Sequence, residues 1–141
     1  MRDANVNVAL GVDGSASNDS AHLLSEARQA MLLQRVQKGA DAFSAREALE
    51  LATLGGARVL GRKDCGSLEP GKRADFAIWD MNSHEMAGNW DPVAALVLCG
   101  PTRVRDLVVE GKHVVQSGNM TGIELGQVVE KQNRLARQLA E

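Results

Sequence analysis

Residues 6–12 read VNVALGV, an apolar run rich in Val that passes without a break into DGSASNDS at 13–20. Such continuity suits a strand buried on both faces, as in a parallel sheet. A parallel strand cannot stand alone, because its N–H and C=O groups need hydrogen-bonding neighbours on each side. The run is therefore expected to be one member of a larger array. The small polar residues after it read as a loop at the strand end.

The next segment is helical. No Gly or Pro interrupts residues 20–38, and Leu23, Leu24, Ala27, Ala30, Met31 and Leu33 recur at helical spacing. Asp19 or Ser20 offers an N-cap and Gly39 a C-terminal stop. Ser44-Ala-Arg-Glu47 fits the capping box, and Ala48, Leu51, Ala52 and Leu54 form a stripe behind it. The pair Gly55-Gly56 costs helix propensity, so it marks a close packing site or a helix break.

After Gly61 the texture changes to turns and short apolar runs. Strands are predicted at 74–80 (ADFAIWD), 96–99 (LVLC), 104–110 and 112–116, with Glu110-Gly111 as a tight hairpin turn. Short strands between turns predict an antiparallel unit. From residue 122 or 123 onward the chain turns helical again, polar on most faces. Three segments result: 1–61, 62–117 and 118–141.

Composition removes several classes of function. Of 141 residues, 44% are apolar, enough for a packed core, but only 3% are aromatic and none is Tyr. A surface of stacked aromatics for single-stranded nucleic acid lacks raw material. The net charge is -2 with no block of one sign, so nothing favours nucleic acid or an anionic membrane. No apolar run has membrane-spanning length, and the first residues lack a signal-peptide pattern. A cytoplasmic location is expected. Cys65 and Cys99 belong to no CxxC and read as lone buried thiols.

With these elements in place, a resemblance emerges. VALGVDGSASNDS resembles the eighth barrel strand and following loop of the amidohydrolase superfamily, closest to its 8-oxoguanine deaminases and hydroxytriazine hydrolases. ATLGGARVLG resembles the helix that follows the barrel. GSLEPGKRADFAIWD resembles the family's β-sandwich signature, and VRDLVVEGKHVVQSG its last hairpin. The resemblance implies an α/β fold: the last βα unit of a (β/α)8 barrel (1–61), part of the composite β-sandwich (62–117) and a C-terminal helical segment (118–141). Helix or parallel barrel strand at 74–80 would contradict it. The family's His-x-His pair, its further metal-site histidines and its catalytic Glu have no counterpart here, and a whole barrel takes about 250 residues. The chain is expected to be a fragment of a larger enzyme.

The same resemblance assigns the chemistry. Asp13, at the end of the predicted strand, is implied as metal ligand and catalytic group, with Zn2+ first and Fe2+ second. A hard carboxylate oxygen suits either ion, and it can take a proton as water adds to a ring carbon and ammonia leaves. Read without the resemblance, Asp13-Gly14 is a turn. Ser15, Ser17, Asn18 and Asp19 share that loop. Ser17 and Asn18 are candidate substrate contacts beside their ordinary role in loop solvation; Asp19 and Ser20 read as caps. His22, His84 and His113 fall in no ligand motif. Trp79 and Trp90 read as packing residues. Two functions follow. One is a metal-dependent hydrolytic deaminase of an amino-substituted heterocycle, a guanine-like purine first and a hydroxytriazine second. The other is a noncatalytic module that mediates association, with itself or with the missing part. Only small heterocycles and protein are expected as partners.

Overall fold

The structure is a computed structural model, and it describes residues 4–14, 16–100 and 102–140. Its elements are α1 (Leu23–Lys38), α2 (Ala45–Glu50), a π-helical turn (Leu51–Gly55), α3 (Gly56–Val59), β1 (Phe76–Ile78), α4 (Pro92–Leu98), β2 (Asp106–Val109), β3 (Lys112–Gln116), β4 (Asn119–Met120) and α5 (Leu125–Ala140).

Three helices meet around one small core. Ala27, Met31, Phe43, Ala45, Ala48 and Val97 are buried together, with Leu10, Leu49, Leu51 and Ala94 packed against them. Ala27, Met31 and Ala48 are wholly inaccessible. Alanine at the crossings lets the helix backbones approach, and Met31 fills the irregular space between them. A second cluster of Met86, Ala95 and Leu96 gathers Leu24, Trp79 and Met81. Thus α4 joins the two, with Val97 in the first and its neighbours Ala95 and Leu96 in the second.

The capping box at the start of α2 forms as expected. Ser44 Oγ accepts from the Glu47 N–H, and Glu47 Oε2 accepts from the Ser44 N–H at 2.8 Å. Gly39 ends α1 at φ 103°, its N–H on the Arg35 carbonyl. The start of α1 differs from expectation. Neither Asp19 nor Ser20 caps it; the helix begins at Leu23 behind His22, which makes no side-chain cap. Ala21 turns the chain through positive φ, so Asp19 and Ser20 stand outside the helix.

Residues 96–98 are helix, with Cys99 as its C-cap, and not strand. Asp91 Oδ1 accepts from the N–H groups of Val93 and Ala94 at 2.9 and 3.2 Å, and Pro92 occupies the first turn, where its missing N–H costs nothing. The Asp-Pro start was the sequence cue. LVLC by itself is a short apolar run that periodicity cannot assign.

The sheet is antiparallel, ordered β1-β2-β3-β4. Residues 76–78 supply the strand predicted at 74–80. Two two-residue turns build the meander. Glu110-Gly111 (φ 50° and 76°) joins β2 to β3, and Ser117-Gly118 (φ 49° and 78°) joins β3 to β4. Positive φ at both central residues is the type I′ form that matches strand twist. A register shift at Leu107/Val108 places a bulge in the first hairpin. The sheet thus runs past residue 117. Its last strand was missed because NM carries no strand signal of its own.

The link from α3 to the sheet is held by charge. Asp64 accepts from Arg62 at 2.8 and 2.9 Å and from Arg73 Nε at 2.8 Å, and Arg73 also pairs with Glu110. Arg62 and Arg73 hold the Asp64 carboxyl below the usual carboxylate range. The Ser117 N–H, then Arg105, lowers that of Asp106.

Two outcomes are expected. Met31→Ala should lower stability by about 2–5 kcal/mol in urea unfolding. Val36→Ala, at a side chain 85% exposed, should stay within about 0.5 kcal/mol. Secondly, a carboxylate whose folded pKa is depressed favours folding above its unfolded pKa. That contribution fades as pH falls through the folded value. Melting temperature should therefore drop below about pH 4. Asp64→Asn and Asp106→Asn should each flatten that drop. Identical acid profiles for wild type and both variants would contradict these attributions.

Candidate metal-site loop and family

Residues 6–12 do not form the predicted strand. Among the described residues this segment joins no ladder, because no neighbouring strand lies beside it. It is seated on the helices instead. The Leu10 N–H donates to the Leu51 carbonyl at 3.4 Å, and the Leu10 side chain packs on the first core cluster. The Val8 carbonyl lies against Gly55, where a Cβ would come within 2.6 Å of it. Of the Gly55-Gly56 pair, Gly55 is therefore the close packing site, and the chain stays helical through both.

Asp13 follows at φ 60°, a left-handed conformation that Asp tolerates. Its Oδ1 accepts the Gly14 N–H at 2.8 Å, and the side chain is exposed. The turn and ligand readings of Asp13 are thus compatible, because the turn engages one oxygen of an exposed carboxylate. The Gly14 carbonyl accepts from the N–H groups of Ser17 and Asn18, both at 2.9 Å. Ser17 is exposed. Asn18 is tied at both ends of its amide, donating to Glu26 Oε1 at 2.7 Å and accepting from Ser20. Its side chain anchors the loop to α1. Ser15 lies outside the described residues.

Asp13 is a hard oxygen donor of the kind Zn2+ or Fe2+ takes. Among the described residues, no group of three His, Cys, Asp or Glu side chains gathers to hold an ion. One carboxylate offers a single ligand, which by itself does not make a metal site. His22 is the N-cap of α1, with Nδ1 buried and without a hydrogen-bond partner. His84 is exposed at 3.4 Å from Glu85, and His113 is exposed on β3 opposite Val108. Trp79 packs on the second cluster, whereas Trp90 is fully exposed and packs on none of the described residues. Both cysteines are free, but Cys99, the C-cap of α4, is exposed and not buried. A cleft of about 190 Å3 opens beside Asn5, Asn7, Glu47, Glu50 and Arg58, and Asp13 does not line it.

The chain belongs to the amidohydrolase family, whose model matches residues 1–114. It is 41% identical to an 8-oxoguanine deaminase of Pseudomonas aeruginosa, over 99% of this chain and 31% of that protein. It is 38% identical to a 5-methylthioadenosine/S-adenosylhomocysteine deaminase of Desulforudis audaxviator, over 100% of this chain and 34% of that protein. Among solved structures it resembles an adenosine deaminase from Xanthomonas campestris with bound zinc (TM-score 0.91, 32% identity, 99% of this chain and 32% of that one). It also resembles the zinc complex of atrazine chlorohydrolase from Arthrobacter aurescens (TM-score 0.88, 36% identity, 95% and 30%). The chain spans about a third of the length of these relatives.

Proposed function

We propose that this chain is the C-terminal part of a metal-dependent hydrolytic deaminase acting on an amino-substituted heterocycle. A guanine-like purine such as 8-oxoguanine is the first choice of substrate and a hydroxytriazine the second. The observation that carries this reading is the 41% identity to an 8-oxoguanine deaminase across 99% of the chain. In this reading residues 1–61 are the terminal strand, loop and helices of the barrel, 62–117 belong to the β-sandwich together with β4 at Asn119–Met120, and the remainder of 118–141 is a C-terminal helical segment. Residues 6–12 would then gain the barrel neighbours that their backbone lacks here.

Asp13 would hold the metal together with ligands from the rest of the enzyme. The two zinc-bound neighbours favour Zn2+ over Fe2+. The ion, when bound, supplies the activation of water. The Asp13 carboxylate would orient a water molecule and take one of its protons as the water oxygen adds to the ring carbon bearing the amino group. The proton then passes to the departing nitrogen, and ammonia leaves. The Gly14 N–H engages Oδ1 of that carboxylate. Ser17, in the same loop, is a candidate contact to the heterocycle. Asn18 acts from the side, by fixing the loop to Glu26.

Surface chemistry favours a second property of the isolated chain. α5 has no buried residue, and Leu125, Val128, Val129, Leu135 and Leu139 recur along it at helical spacing, all exposed. Leu32, Leu33 and Val36 of α1 are exposed as well. Apolar stripes of this kind drive association. A chain that associates without catalysing is the alternative function.

In the complete enzyme, Asp13→Ala should lower turnover of 8-oxoguanine by about 10²–10⁴-fold while the melting temperature changes little. Ammonia release close to wild type would remove Asp13 from the mechanism. The 141-residue chain alone should release no ammonia from purines in the presence of zinc and should elute as an associated species. Light scattering on the eluting peak measures the second point, and a monodisperse monomer would contradict it.

A further inference from the structure

We propose that the π-helical turn Leu51–Gly55 is a positioning device that sets where Asp13 stands, with Gly55 as its contact point. The relevance of this to catalysis rests on the reading of Asp13 as a metal ligand; the geometry does not.

The argument starts from the helix. α2 and α3 would be one continuous α-helix but for the five-residue π turn between them. A π turn widens the helix locally and alters which carbonyls are available outside it, and such turns recur at functional sites. Here the Leu51 carbonyl, inside the turn, accepts the Leu10 N–H from the segment that leads to Asp13. Thr53 Oγ1 donates back to the Leu49 carbonyl at 2.8 Å, which ties the distorted turn to α2.

Gly55 closes the turn, and it is buried. An added Cβ would lie 2.6 Å from the Val8 carbonyl oxygen and 3.6 Å from Ala9 Cα. Both are backbone atoms, so no rotamer change relieves the clash; the 6–12 segment itself has to move. Gly56 gives the internal comparison, because a Cβ there meets nothing within 4 Å. Both glycines lie in helical conformation at φ -58° and ψ -47°. Helix propensity favours alanine equally at either position. What separates them is the packing around Gly55, where a Cβ would meet Val8 and Ala9 of the segment and, at 3.4 Å, the Glu50 carbonyl of its own helix.

The segment is thereby held at three points: the Val8 carbonyl on Gly55, the Leu10 N–H on Leu51, and the Leu10 side chain in the first core cluster. Asp13 comes three residues after the last of these. These contacts set how closely the segment sits against the helix, with or without strand neighbours along its edges, and so where that carboxylate begins. Catalytic geometry tolerates displacements of well under 1 Å, so a methyl group at Gly55 is large on the relevant scale.

The test compares Gly55→Ala with Gly56→Ala in this chain by nuclear magnetic resonance. Gly55→Ala should shift the amide resonances from Val8 to Gly14 and speed hydrogen exchange at Leu10 at least about tenfold, a loss expected when a weak backbone bond is broken. The Gly14 amide reports directly on the Asp13 Oδ1 contact. Gly56→Ala should leave all of these near wild type. Equal effects from the two variants, or none from Gly55→Ala, would overturn the proposal. Should Gly55→Ala fail to fold, Leu10→Ala carries the test, since it removes the side-chain anchor without touching the helix. A shifted Gly14 amide supports the proposal there, and an unmoved one overturns it. In the complete enzyme, Gly55→Ala should lower kcat with KM little changed. If Asp13→Ala keeps full turnover while Gly55→Ala still moves the Gly14 amide, the metal-ligand reading fails and the positioning stands.

Discussion

The close crossing of α1 and α2 at Ala27 and Ala48 is the contact on which the other elements depend. Both residues are fully buried, and neither leaves room for a larger side chain without parting the helices. That approach creates the space Met31 fills and brings α4 close enough for Val97 to seal it. It also sets the π turn at the height where Leu10 and Val8 reach it. A core of this kind is small, and much of its lining is alanine. It yields little apolar burial per residue, so caps and ion pairs carry a larger share of the definition of the fold than in a larger domain.

Much of this organisation was legible in the sequence where a local rule acts alone. The capping box at Ser44, the stop at Gly39 and the Glu110-Gly111 turn each rest on residues within three or four positions of one another, and each forms. The expectations that failed needed information from farther away. LVLC is apolar enough for a strand, but Asp91 and Pro92 had already started a helix. Asp19 and Ser20 are good caps that the chain bypasses, because Ala21 turns it first.

The candidate site was legible to a different depth. Asp13 stood out through its place between an apolar run and a polar loop together with the family resemblance, not through any cluster of ligands. The devices that hold its segment were half visible. Gly55-Gly56 declared a close approach without naming what approached. The partner, the Val8 carbonyl, lies 47 positions earlier in the chain, and the π turn that brings the two together has no sequence signature. Residues 6–12 read as a strand because they are patterned for neighbours on both sides. Their present lack of a ladder is what such a pattern gives when those neighbours are not beside it.

The two type I′ turns have a consequence for how the chain collapses. Because Glu110-Gly111 and Ser117-Gly118 each join adjacent strands, β2, β3 and β4 pair only with their nearest neighbours along the chain. Loop closure for such a meander is entropically inexpensive, and hairpins form on the microsecond scale. By contrast, β1 must wait for a partner about thirty residues away, across the whole of α4. The sheet is therefore expected to assemble from its far edge inward, with addition of β1 as the slower step that joins it to the helices.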